Sequence, residues 1–202
     1  KAGCSGNAEV QVEFGTPHEA ITRAGRERGA DVLVLGAGKG QTLKLKVLGS
    51  TADRVVRTSS VPVLVARQAV TGPYVRAAVA IDMSPLSARA LLEVRRLAPD
   101  AKLQLLHAVE VPLPFQQAMF RTGMSSAEME RYRAALEGKA REELKAFQRR
   151  VVRTDDLPVR LLTGDPGPAL VRAANSGRFD LVALGSRGHS ATLQALLGSV
   201  AR

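Results

Sequence analysis

The residues best suited to chemistry lie late in the chain: Gly185-Ser186-Arg187-Gly188, nine intervening residues, then Gly198-Ser199. An apolar run, Leu181 to Leu184, leads into them, and a helix-start pattern opens at Ser199. This arrangement suits an oxyanion, phosphate above all. Glycines let backbone amides approach an anion closely and turn toward it. A helix opening at Ser199 offers unpaired N–H groups and the positive end of its dipole. Arg187 adds a charge-assisted contact, and the Ser199 hydroxyl donates to a phosphate oxygen. A glycine-rich strand-to-helix turn also serves as a plain tight connection, so the motif must be read in its setting.

That setting is a parallel α/β sheet, in which ligands bind beyond the carboxyl ends of the strands. Short apolar runs alternate with helical stretches, the signature of βαβ units. The pattern predicts strands at Val75 to Ile81, Leu103 to Val109, Val159 to Leu162 and Leu181 to Leu184. Ser84 or Ser87 caps a helix whose apolar positions Ala88, Leu91, Leu92 and Leu97 recur at helical spacing. Residues 110–124, with Pro112, Pro114 and Gly123, read as a loop. Ser125-Ser126-Ala127-Glu128 is a capping box that opens a long helix to about Arg150. Pro166 and Pro168 begin a further helix. Nearer the start, strands are expected at Val10 to Phe14, Val32 to Leu35 and Val61 to Ala66, with helices opening at Pro17 and Ser50. Pro62 lacks an amide donor, so its strand belongs at an edge or a contact.

An internal repeat relates the two halves. Gly15 set against Gly164 gives an offset of 149, and residues 15–53 then align with 164–202 without a gap. Twelve of those 39 positions are identical, including the pairs Gly15/Gly164, Pro17/Pro166, Asp31/Asp180, Gly36/Gly185 and Gly49-Ser50/Gly198-Ser199. A repeat of roughly 150 residues is one domain's worth. The expected organisation is residues 1–67 as the later half of a first domain, 68–73 as a linker, and 74–202 as a second domain short of its last strand. On that register the parent protein is expected to carry about 75 residues upstream and about 15 downstream.

The second glycine motif, with its flanking strands, resembles the signature of the universal stress protein family: Gly, two residues, Gly, nine residues, Gly, then Ser or Thr. Residues 185–199 match every fixed position. Gly164-Asp165-Pro166, the Asp180 strand, and the opening Ala80-Ile81-Asp82-Met83-Ser84 also look like the family. The resemblance implies tandem flavodoxin/Rossmann-like domains of the adenine nucleotide alpha-hydrolase kind, both incomplete here. It implies a stress-response regulator that binds ATP, with Mg²⁺ accompanying the triphosphate. Carried over by position, Asp82 would bind the ribose hydroxyls or the base edge. Ala108 and Val109 would line the adenine pocket. Gly185, Ser186, Arg187, Gly188, His189, Gly198, Ser199 and Val200 would surround the phosphates. The family also implies pairing through final edge strands: a pseudo-dimer between the two domains, with a homodimer as a further form. Some members act as scaffolds without nucleotide, and that alternative stays open.

Plainer roles compete for several of these residues. Asp82 also suits capping of the helix after it, His107 suits a hydrogen-bonded strand end, His189 suits solvent, and His18 sits by a helix start. The first copy departs from the motif, because Lys39 stands where the second copy has Gly188. Gly38-Lys39-Gly40 is not a P-loop, since Gln41 follows in place of the Ser or Thr that motif needs.

Composition limits the function classes. The net charge of +10 invites an anionic partner, but aromatics at 3% argue against a single-strand nucleic-acid reader, which stacks bases on aromatic rings. Nucleic acid is therefore not the expected partner. No apolar run reaches the roughly 18 residues of a membrane helix. The one cysteine, Cys4, excludes an intramolecular disulfide framework and fits a reducing compartment, so a cytoplasmic location is expected. Phosphoryl transfer needs metal-holding carboxylates and a positioned base. No carboxylate lies within residues 185–200, so the expected activity is binding, with slow ATP hydrolysis at most.

Overall fold

The computed structural model describes residues 8–36, 50–67, 72–111 and 113–185. The chain divides into two compact units, with the division after Arg67. The expected Ser199 helix, the Lys39 position and most of the 68–73 linker lie outside the described residues.

The first unit begins with α1, Pro17–Glu27, whose opening proline occupies a position where no amide partner is needed. Then come β1, Leu33–Gly36, α2, Ser50–Thr58, and β2, Val63–Ala66. The two strands pair in parallel, Leu33 beside Val63. Val55, Ala52 and Ala20 are its buried apolar side chains among the described residues. The strand predicted from Val61 starts instead after Pro62, whose carbonyl accepts from the Leu33 amide at 2.8 Å. A proline can accept into a ladder but cannot donate.

Residues Val10 to Phe14 do not form the predicted strand: Val10, Val12 and Phe14 are 90%, 80% and 90% exposed. The repeat explains this. Their counterparts form β5, Val159–Thr163, which among the described residues pairs only with β4, Lys102–Val109. The first 67 residues hold no counterpart of β4, and a strand without a ladder partner leaves its backbone groups to water.

The second unit adds β3, Arg76–Ala80, α3, Pro85–Leu97, α4, Leu113–Arg121, α5, Ser126–Val152, α6, Pro166–Ala174, and β6, Leu181–Ala183. Its strands are all parallel, in the order β5-β4-β3-β6. Of the two common doubly wound orders, this is the Rossmann one. Right-handed crossovers place α3 and α5 on one face and α6, which leads back across the sheet, on the other. Accordingly Ala169 and Ala173 of α6 pack on Ala78, Leu106 and Leu162. Leu91, Leu105, Leu144 and Phe147 are also fully or almost fully buried.

The 110–124 segment is not all loop, because α4 occupies Leu113–Arg121. Pro114 falls in its first turn, where a missing amide costs nothing. Gly123, at φ +85°, ends it. The predicted capping box is present: Ser125 accepts from the Glu128 amide, and the Glu128 carboxylate accepts from the Ser125 amide at 2.8 Å. No described helix is long and apolar enough to cross a membrane.

Candidate functional site

Strand order reverses between β3 and β6, the two strands that flank the turning point of the chain. Crevices at that point, outside the carboxyl ends, are where open α/β sheets take ligands. Beyond Ala80 the backbone stays tied to β4. The Ile81 amide donates to the Leu106 carbonyl at 2.8 Å, and the Ile81 carbonyl accepts from His107 Nδ1 at 2.7 Å. Because a carbonyl only accepts, Nδ1 carries the proton.

Asp82 follows. Its Oδ1 accepts from the Ser84 amide at 3.1 Å and from the Ser84 hydroxyl. Ser84 is the N-cap of α3: its Oγ accepts from the Ser87 amide at 3.2 Å. Asp82 therefore holds the cap without being the cap. Between them Met83 sits at φ 61°, a left-handed conformation that costs a side-chain-bearing residue on the order of 1–2 kcal/mol. Strain of this kind persists where surrounding bonds over-determine the turn.

Gly185, past the end of β6, closes the other side. A Cβ built there would lie 3.0 Å from Leu86 Cβ, 3.2 Å from the Leu86 carbonyl carbon and 3.3 Å from the Ser87 amide nitrogen. Glycine is what allows β6 to leave the sheet against the first turn of α3. Its repeat counterpart, Gly36, meets nothing within 4 Å among the described residues. A third element enters from α6. Gly164, at φ +99°, donates its amide to the Val109 carbonyl at 3.2 Å and turns the chain into Asp165, which caps α6 by accepting from Gly167 at 3.0 Å.

These pieces enclose a mainly apolar cleft of about 70 Å³ that opens to solvent. Asp82, Ala108 and Gly185 line it, with Ile81, His107 and Leu170. Three of the sequence-predicted residues thus meet at one place. Val109 ends β4, but it is not among the lining residues, and its carbonyl is taken by Gly164. Ser186, Arg187, Gly188, His189, Gly198, Ser199 and Val200 lie outside the described residues. Pro166, read from the sequence as a helix opener, and Leu170 line the cleft although neither is among the site residues the sequence suggests. Helical periodicity marks the buried side of α6 but not which end of the sheet it covers.

Asp180 fixes the far end of the same strand pair. Its carboxylate accepts from the amides of Val75 and Arg76, each at 3.0 Å. Burial alone would raise this carboxyl. The amides of Val75, Arg76 and Asp180 itself, with the Arg76 charge, hold it below its ordinary value.

A doubly wound parallel sheet with a glycine-closed cleft at its switch point defines a Rossmann-like α/β protein, an architecture whose ligand crevices lie at the strand carboxyl ends. The chain belongs to the universal stress protein family, whose profile matches residues 2–67 and again 73–202. Universal stress protein MJ0577 of Methanocaldococcus jannaschii is 35% identical over 57 residues, 28% of this chain and 35% of that protein. Universal stress protein G of Salmonella typhimurium is 37% identical over 59 residues, 29% of this chain and 41% of that protein. The matches thus span less than half the length of these curated relatives. A universal stress protein of Archaeoglobus fulgidus shares the fold at TM-score 0.58 and 22% identity, over 95% of this chain and 63% of that one.

Proposed function

We propose that the second unit binds an adenine nucleotide, ATP with Mg²⁺, and that the protein acts as a nucleotide-sensing regulator in the stress response. The observation that carries this reading is the cleft itself, at the switch point, bordered by one carboxylate, Asp82, and by the apolar surfaces of Ala108 and Leu170. The apolar walls suit one face of a base, and Asp82 suits ribose hydroxyls. The cleft takes a base or a sugar, not a whole triphosphate. The phosphates would fall to Gly185 and the motif residues that follow it. Asp82 is the one carboxylate lining the cleft among the described residues. With no second acid there to hold a metal and position water, the reading is binding, with slow hydrolysis at most.

A second reading, a scaffold that uses no nucleotide, is favoured by one observation: Asp82 already serves Ser84. Calorimetric titration with ATP and Mg²⁺, beside a Gly188→Lys variant that copies the first unit, separates the two. Binding by the parent and its loss in the variant supports the nucleotide reading. Absence of binding in the parent moves the weight to the scaffold.

A further inference from the structure

We propose that the second unit carries a separate oxyanion site on the α6 side of edge strand β5, and that its ligand is phosphate, free or as a monoester. Arg160 of β5 and Arg172 of α6 both line a polar cavity of about 350 Å³, with Thr163 at the end of the strand. No carboxylate lines the cavity among the described residues. Leu162 packs on Ala169 and Ala173 of α6, so Arg160, two residues earlier on the strand, shares that face.

The Arg160 Nη1 atom is buried and has no hydrogen-bond partner among the described residues. A buried cationic donor without an acceptor is costly, and an external acceptor, an anion or an ordered water, would relieve that cost. A charge on an edge strand also deters unwanted strand pairing. That role needs a guanidinium held out in solvent, not one with a buried nitrogen.

The internal repeat sharpens the case. Subtracting the offset of 149 places Gln11, Glu13 and Arg23 at the positions of Arg160, Leu162 and Arg172. In the first unit Arg23 donates to Glu13 at 3.2 Å, and Gln11 donates to the same carboxylate. That triplet is neutral. In the second unit the acid is a core leucine and a second guanidinium has appeared, so the same positions carry two positive charges. Paired guanidinium forks match the oxygens of phosphate. Among the described residues no aromatic side chain lines the cavity to stack a base, so a phosphate group fits it better than a nucleic-acid strand.

The test follows arginine Nε–H signals of the full chain by NMR during titration with inorganic phosphate, beside potassium chloride at matched ionic strength. Arg160→Met, which keeps the apolar stem, and Arg172→Gln are titrated alongside. Saturable shifts with phosphate, absent with chloride, and affinity weaker by roughly tenfold or more in each variant are expected, as for loss of one charge-assisted contact. Saturating adenosine should not compete, which keeps this site's outcome distinct from that of the switch-point cleft. O-phosphoserine binding more tightly than inorganic phosphate would identify a monoester as the ligand, and the reverse would identify the free ion. Equal shifts in chloride, or unchanged phosphate affinity in both variants, would overturn the proposal. Melting curves check folding: Arg160→Met should melt no lower than the parent in chloride and should lose the rise that phosphate produces in the parent.

Discussion

Gly185→Ala tests how the cleft is closed. The added methyl would sit 3.0 Å from Leu86 Cβ and 3.2 Å from the Leu86 carbonyl carbon. Neither atom is the tip of a flexible side chain, so relief requires moving the first turn of α3 away from β6. Gly185 is not held at positive φ, so the cost is steric. Forcing a methyl into packed structure costs about 1–3 kcal/mol. Gly36→Ala is the internal control. The same repeat position meets nothing within 4 Å among the described residues, and alanine in a strand loses less chain entropy than glycine, so that change should be neutral or gain up to about 1 kcal/mol. Urea unfolding of both variants, followed by a signal from each unit, measures the difference. Because the first turn of α3 carries the Ser84 cap that Asp82 holds, Gly185→Ala should also weaken adenosine binding. If Gly185→Ala is as stable as the parent, or Gly36→Ala is equally damaged, the argument from close approach is wrong.

His107→Leu removes the donor to the Ile81 carbonyl. It should cost about 0.5–1.5 kcal/mol and weaken adenosine binding, while His107→Asn, whose amide nitrogen falls near the place of Nδ1, should recover much of both. Calorimetry on the pair separates positioning of the loop from simple loss of packing. For Asp180 the sign is fixed by a folded pKa below the unfolded value of about 3.9. Its contribution is full above about pH 4 and is lost as pH falls through the lower folded value. Asp180→Asn should therefore be less stable than the parent at pH 7, and the gap should close below pH 4 in melting curves taken across that range. A gap that persists unchanged in acid would refute the carboxylate's role.

How far each feature was legible depended on how local its cause is. The capping box at Ser125 and Glu128, the proline-opened helices at Pro17 and Pro166, and the Ser84 cap depend on groups within a few residues, and they stand as the pattern predicted. α4 was misread because two prolines and a glycine look like a loop, although Pro114 lies where a helix tolerates it. The failure at Val10 to Phe14 has the opposite origin. The alternation there is genuine, but a strand exists only with a partner, and pairing is not written in the segment that pairs.

By itself the sequence determined the alternating strand and helix order, the repeat at 149 residues and the glycine spacing after Leu184, because these depend on residue type and position along the chain. Only the tertiary structure decided that Asp82, Ala108 and Gly185 border one cleft, although 103 residues (185 − 82) separate the first from the last. Only it could show that Asp82 serves the α3 cap, that His107 holds the Ile81 carbonyl, and that Arg160 buries a nitrogen beside Arg172. These facts follow from strand order and crossover hand, which bring the carboxyl ends of distant strands together. No local pattern of residues encodes that proximity.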